Sequence, residues 1–212
     1  MTSAATPPEF LAAGLAARIL HDISGPASGV ASGLDLLTES GQGDGAALEL
    51  AVSSARILLD LLEFHKVAFA GGAAPVAGAT LQRLALTLFE ARRPRLEWVS
   101  DLDPFPGPAA QAMLILAQIS AAALAAGGLA RANAARVRED IVIRIDGEGP
   151  RAALHPESLD GLEGRDLLGG LAGRWAPSRY LSALVTAVGG AVTATTGVGR
   201  FSLTATLPAT AA

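Results

Sequence analysis

The stretch ILLDLLEFHKVAF, within residues 46–69, places Ile57, Leu58, Leu59, Leu61, Leu62 and Phe64 around most of a helix circumference. A helix that is apolar on nearly every side must be covered on several of them. The chain supplies one cover itself. Pro7-Pro8 can open a helix, and Leu11, Leu15, Ile19, Ile23, Pro26, Val30, Leu34 and Leu37 then recur at steps of four and three to about Ser40. That is the seam of a coiled coil or bundle. GQGDG at 41–45 provides a turn between the two helices. Two helices cannot cover a surface this wide, whereas a second copy of the hairpin can. The N-terminal third therefore reads as half of a dimeric four-helix bundle.

The composition supports close helix packing. Half of the 212 residues are hydrophobic and only 17% are charged, with six Phe, two Trp and one Tyr. The apolar content is mostly Ala, Leu and Val, which suits helices packed through small side chains. A net charge of −4 gives no footprint for a nucleic-acid partner. The absence of cysteine excludes disulfides, thiol catalysis and thiolate metal sites, and fits a cytoplasmic setting. MTSAATPPEF lacks the basic start and apolar core of a signal peptide. The most apolar region, Met113 to Leu129, is interrupted by Gln118, Ser120 and Gly127-Gly128, so it reads as a buried core helix rather than a membrane span.

AGGAAPVAGA at 70–79 reads as a linker, dividing a hairpin domain over 1–72 from a second domain over 80–212. In the second domain, Thr80 to about Glu90 looks helical and a short strand is expected around Leu96 to Val99. Pro104, Pro106 and Pro108 mark a loop, followed by a helix from Pro108 to Ala126 that Gly127-Gly128 ends. DIVIRID at 140–146 alternates as a strand, and the Gly-rich region from Leu159 to Gly173 is ambiguous. A helix from Pro177 to Val188 and a β-hairpin turning through GVG close the chain. The class expected is α+β: a helical hairpin followed by a small α/β sandwich.

The residues with chemistry stand in ARILHDISGPASGV, 17–30. On a helical wheel the seam residues share one arc and His21 falls on the opposite side, with Gly14, Arg18, Gly25, Ser28 and Ser32 as its face neighbours. Apart from Arg18 these are small, so another protein can approach the imidazole closely. An exposed histidine is ordinarily a plain surface residue, but three features set this one apart. Asp22 can orient the ring through one nitrogen and leave the other as a nucleophile. Pro26 sits inside a helix, where it costs about 3 kcal/mol and normally bends the axis. The face around His21 is low, with Ser24 also beside it.

His21-Asp22-Ile23-Ser24-Gly25-Pro26 resembles the H-box of histidine-kinase dimerisation and phosphotransfer domains, where the histidine takes a phosphoryl group. A kinase would also need an Asn-bearing helix for Mg²⁺ and glycine boxes for the nucleotide. The single asparagine, Asn133, lies outside the corresponding helix MLILAQISAAALAAGG, and Asp146-Gly147-Glu148-Gly149 is at most a shortened Asp-x-Gly-x-Gly box. Gly169, Gly170 and Gly173 are too loosely spaced to count. A phosphotransfer hairpin joined to a kinase-like domain without its nucleotide site resembles the ChpT-type bacterial histidine phosphotransferases. That likeness rests on LAARILHDISGPASGVASGLDLL and, more loosely, on SRYLSALVTAVGGAVTATTGVGRFSLTATLP. It implies a homodimeric relay. His21 and Asp22 would do the chemistry, and Gly14, Arg18, Ser24, Gly25, Ser28 and Ser32 would meet the partner. The partners implied are receiver domains of a hybrid histidine kinase and of response regulators. The Mg²⁺ would belong to the receiver, leaving no cofactor on this chain.

Two other readings stay open: a dimeric receiver-binding module without phosphoryl traffic, and an ATP-dependent kinase with divergent boxes. His65, near the end of the second helix, reads as a capping or boundary residue, and His155, before Pro156, as a loop residue. The three histidines are too scattered for a metal site. Arg92, Arg93 and Arg95 read as a solvated helix end or as a contact for an acidic receiver surface. Ser24, Ser28 and Ser32 step by four along one side, and none has a histidine base placed as in a hydrolase.

Overall fold

The computed structural model describes residues 7–40, 45–72, 74–90, 93–166 and 173–209. Residues 41–44, read as a turn, Arg92, and Gly169 and Gly170 lie outside them. Helix α1 (Pro8–Ser40) and helix α2 (Gly45–Ala70) form the hairpin. α1 runs unbroken through Pro26. Because proline has no N–H, the Asp22 carbonyl loses its intrahelical donor, beside His21.

Small residues set how closely the two helices cross. A Cβ at Gly33 would stand 2.7 Å from the Ala51 backbone nitrogen and 2.9 Å from the Ala47 carbonyl oxygen, and one at Gly29 would overlap the Ser54 hydroxyl. Ala47, Ala51 and Ser54 are accordingly buried. The crossing leaves large side chains outside: Leu34, Leu36, Leu48, Leu50, Leu59 and Leu62 remain exposed, Leu59 by 66%.

The second body begins with α3 (Gly78–Glu90) and the short strand β1 (Arg95–Trp98). The long helix α4 (Gly107–Ala123) follows, then β2 (Leu129–Val137) and β3 (Asp140–Glu148). A short α5 (Pro156–Leu162), α6 (Trp175–Ala187) and the hairpin β4 (Ala191–Gly197) and β5 (Arg200–Pro208) complete it. The sheet order is β1-β2-β3-β5-β4, parallel only between β1 and β2. One sheet face buries Ala130, Ala132, Ile141, Ile143, Ile145, Leu203 and Leu207. The other presents Arg131, Asn133 and Arg144 to solvent. The result is a two-layer α/β sandwich. At its centre lies α4, buried from Ala109 to Ala121 without interruption, as the apolar composition of that helix requires.

Two elements went unforeseen. β2 was invisible because LARANAARV alternates alanine with arginine and asparagine, and alanine carries little strand signal. The ambiguous Gly-rich region opens with α5, with Pro156 at its first position and His155 capping it in extended conformation. The segment read as a linker is pinned to the second body. Val76 pairs with Phe105, and the Gly78 amide donates to Asp103 Oδ1 at 2.8 Å. Phe64 and Ala68 of α2 enter the same core cluster as Leu81, Met113 and Leu116, so hairpin and sandwich share one apolar interior.

Candidate functional site

His21 stands on α1 with 79% of its side chain exposed, and its Nδ1 lies 3.3 Å from Asp22 Oδ1. Asp22 is only 12% exposed because three neighbours enclose it. Arg18, one turn earlier, donates from Nε to Oδ2 at 2.9 Å and places Nη2 2.9 Å from Oδ1, a two-pronged ion pair. Gln118, from α4, donates its amide to Oδ2 at 3.3 Å. His65, from α2, brings Nε2 to 3.7 Å of the same oxygen, too long for a hydrogen bond. The aspartate is therefore the hub: it faces the imidazole with one oxygen and the protein interior with the other.

Sequence reasoning placed His65 at a helix boundary, but it is buried at 5% exposure. Its ring lies edge-on to Phe64 and stacked on Phe69, and neither ring nitrogen finds a hydrogen-bond partner among the described residues. Burial pushes its imidazole below the ordinary histidine value; Asp22 pulls it upward and Arg18 adds to the lowering. A base held low in the folded state takes up protons more readily when unfolded. Its contribution to stability is complete above the ordinary value, near about 6.5, and is lost as the pH falls below it. As the pH falls below about 6.5, the unfolding free energy of the wild type should thus drop more steeply than that of His65→Leu, by at most about 1.4 kcal/mol per pH unit, with the melting temperature following. Parallel slopes in a thermal melt series would refute this.

The other residues expected at the site divide. Gly25 is exposed, with nothing within 4 Å of where a Cβ would stand, and Ser28 and Ser32 are also open to solvent. Ser24 is exposed but turns its hydroxyl back to the Leu20 carbonyl at 2.5 Å. Gly14 is a correction: expected on the open face, it is buried. α6 packs against α1, and Pro177 and Arg174 share a small cavity with Arg18, contacts that a wheel of one helix cannot foresee. Arg18, expected to meet the incoming group, is committed to Asp22 at 16% exposure. Sequence reasoning missed Gln118 as a site residue. Its only signal was a long polar side chain inside an otherwise apolar helix, and such a group needs a partner when buried.

Beside His21 a groove of about 260 Å³ opens where four helices converge, lined by Pro26 of α1, Ile57 and Leu61 of α2, Leu88 of α3 and Gln118 of α4. A wider depression of about 450 Å³ lies on the outer sheet face, among ion pairs such as Arg144–Asp146 and Arg131–Glu148. It is remote in the fold from His21. The shortened glycine box serves packing there: a Cβ at Gly147 would meet the Phe201 ring at 2.2 Å. Asn133 is exposed on the same outer face, opposite Arg144. Near α4, two small cavities of about 20 Å³ each lie beside Arg174, whose Nη1 lies 2.9 Å from His155 Nε2.

An open imidazole held by an enclosed, ion-paired carboxylate is suited to accepting a group through its free nitrogen. Known proteins similar to this chain include phosphotransferases. Residues 78–198 match the family described as the histidine phosphotransferase C-terminal domain. Protein phosphotransferase ChpT of Brucella abortus (strain 2308) is 34% identical over 123 residues, 56% of this chain. That match spans 57% of the relative's own length. Among solved structures, a bacterial phosphotransferase superposes with a TM-score of 0.82 at 23% identity, over 95% of this chain and 98% of that one. The Acinetobacter baumannii histidine kinase AdeS superposes with a TM-score of 0.50 at 13% identity, over 90% and 98%. The two superpositions establish the fold: a helical hairpin on a kinase-like α/β sandwich. With more than half of its length matched by the family model, the chain belongs to the histidine phosphotransferase family that this C-terminal domain defines.

Proposed function

We propose that the chain relays phosphoryl groups between receiver-domain aspartates, with His21 as the carrier. The observation that carries this reading is the division of labour around one imidazole. Nδ1 faces Asp22 Oδ1, so the proton sits there and the Nε2 lone pair points into solvent. Nε2 attacks the phosphorus of an aspartyl-phosphate in line. The N–P bond forms as the bond to the receiver's carboxylate oxygen breaks, and that carboxylate departs with the electron pair. The ring now carries positive charge, which the neighbouring Asp22 offsets while holding the Nδ1 proton. Attack by a second receiver's carboxylate reverses the step.

The donor in this reading is the receiver of a hybrid histidine kinase, and the acceptors are response regulators. Mg²⁺ would reside in the receiver's acidic pocket. Among the described residues of this chain, no three His, Asp or Glu gather to hold a metal. Nucleotide chemistry is not assigned: the shortened glycine box packs Gly147 against the Phe201 ring. A second copy of the chain would cover the leucines that the hairpin leaves outside, since exposed apolar surface on this scale marks an interface. Neither a nucleic-acid nor a membrane partner is assigned. The net charge is −4, and among the described residues no helix is long and apolar enough to cross a membrane. A cytoplasmic location accords with the cysteine-free chain.

Incubation with a panel of phosphorylated receiver domains tests the reading. At least one should label His21 with acid-labile phosphate, and light scattering on the same sample should return twice the chain mass of 21.3 kDa. Receiver binding without label would make the protein a docking module. Label from ATP alone would make it a kinase.

A further inference from the structure

Asp22 is fixed from two directions, and the second is not explained by the phosphoacceptor helix itself. Arg18 belongs to α1 and moves with it. Gln118 comes from α4, separated from Asp22 by 96 positions in sequence and 6% exposed. A carboxylate offers about four lone-pair sites, and an amide can meet it only through its NH₂. The orientation here obeys that rule: Nε2 faces Asp22, while Oε1 finds no partner among the described residues. A buried amide oxygen left unpaired is costly. The side chain therefore sits where it does for the sake of the carboxylate rather than for its own satisfaction.

We propose that Gln118 is a positioning residue of phosphotransfer: its amide fixes the Asp22 carboxylate, which in turn fixes the tautomer of His21. This rests on the relay reading of His21. The contact from Asp22 to the imidazole is long, 3.3 Å, so a modest pivot of the carboxylate breaks it. Arg18 holds both oxygens but can swing with them, because guanidinium and carboxylate lie one turn apart on the same helix. Gln118 is the anchor from outside that helix. His65, on the same side, supplies none: its Nε2 stays 3.7 Å away, and neither ring nitrogen has a hydrogen-bond partner among the described residues. Through Gln118 the second body becomes part of the reacting centre, beyond any service as a docking platform.

The test uses the full chain with Gln118→Leu, alone and combined with Asp22→Ala. Alone, the substitution should lower the transfer rate at saturating phosphorylated receiver about tenfold, the scale of one hydrogen bond to a charged group. The KM for that receiver should stay unchanged. In ¹⁵N NMR the His21 ring should move from the single Nδ1–H tautomer toward a mixture, a signature that loss of packing alone would not give. In the Asp22→Ala background the same substitution should cost nothing further. Equal losses in both backgrounds, or an unaltered His21 spectrum, would overturn the proposal. If Gln118→Leu does not fold, Gln118→Asn withdraws the amide by one methylene and carries the same expectations. Should no receiver label the wild type, the relay fails, and the tautomer measurement still decides the role of Gln118.

Discussion

His21→Ala should abolish phosphoryl uptake from every receiver that labels the wild type, while the dimer and its melting temperature hold. The two halves of that expectation have separate causes. Stability is spared because the imidazole is 79% exposed and its polar contact among the described residues is to Asp22. An exposed substitution usually stays within about 0.5 kcal/mol, and alanine is the best helix former. Uptake is lost because no other histidine can stand in. His65 is buried among aromatic rings, and the His155 imidazole is engaged by Arg174 in the second body. Asp22, Arg18 and Gln118 all survive the substitution, so the electrostatics of the site remain while the nucleophile is gone. Gel autoradiography with an acid-wash control reads the label, and light scattering reads the dimer. Acid-labile phosphate persisting on the variant would remove His21 from the mechanism.

How much of this was legible in the sequence depends on the range over which each signal acts. The hairpin was readable because a seam at steps of three and four is a property of one helix, and α1 and α2 run close to the expected limits. The closeness of His21 and Asp22 was readable for the same reason, the two being adjacent on one helix. The resemblance carried through His21–Pro26 was confirmed as a family by residues 78–198, a different part of the chain. What escaped were features that exist only once segments meet. Gly14 looked open on its own helix but is buried in the folded chain. Gln118 looked like an interruption of an apolar helix until Asp22 appeared beside it. His65 looked like a boundary residue because α2 continues to Ala70 and its last turns are sunk in the core of the second body. β2 failed for a local reason: its buried face is alanine, chosen to let α4 lie close and silent as a strand signal.

The second large effect should come from Gly33→Leu, with Gly25→Ala as its contrast on the same helix. Both replace a mid-helix glycine, which by propensity alone is worth up to about 1 kcal/mol of stabilisation. At Gly25 a Cβ meets nothing within 4 Å, so that gain should appear as a slightly raised melting temperature. At Gly33 the Cβ would stand 2.7 Å from the Ala51 nitrogen, 2.8 Å from the Ala51 Cβ and 2.9 Å from the Ala47 carbonyl. Two of these are backbone atoms of α2, which no rotamer change can clear, so the helices must part to admit even the first carbon of leucine. Overpacking of this kind costs about 1–3 kcal/mol, and rigid backbone on one side places it at the upper end. After the propensity gain the net loss should be about 2 kcal/mol, a drop of roughly 4–8 °C in melting temperature for a chain of this length. Parting α1 from α2 also moves Leu34 relative to Leu48 and Leu50, the exposed side chains a second copy would cover, so the dimer should weaken in the same variant. Thermal melts and light scattering read the two effects together. If Gly33→Leu melts with the wild type, α1 and α2 do not cross at Gly33, and the small-residue contact does not hold the hairpin together.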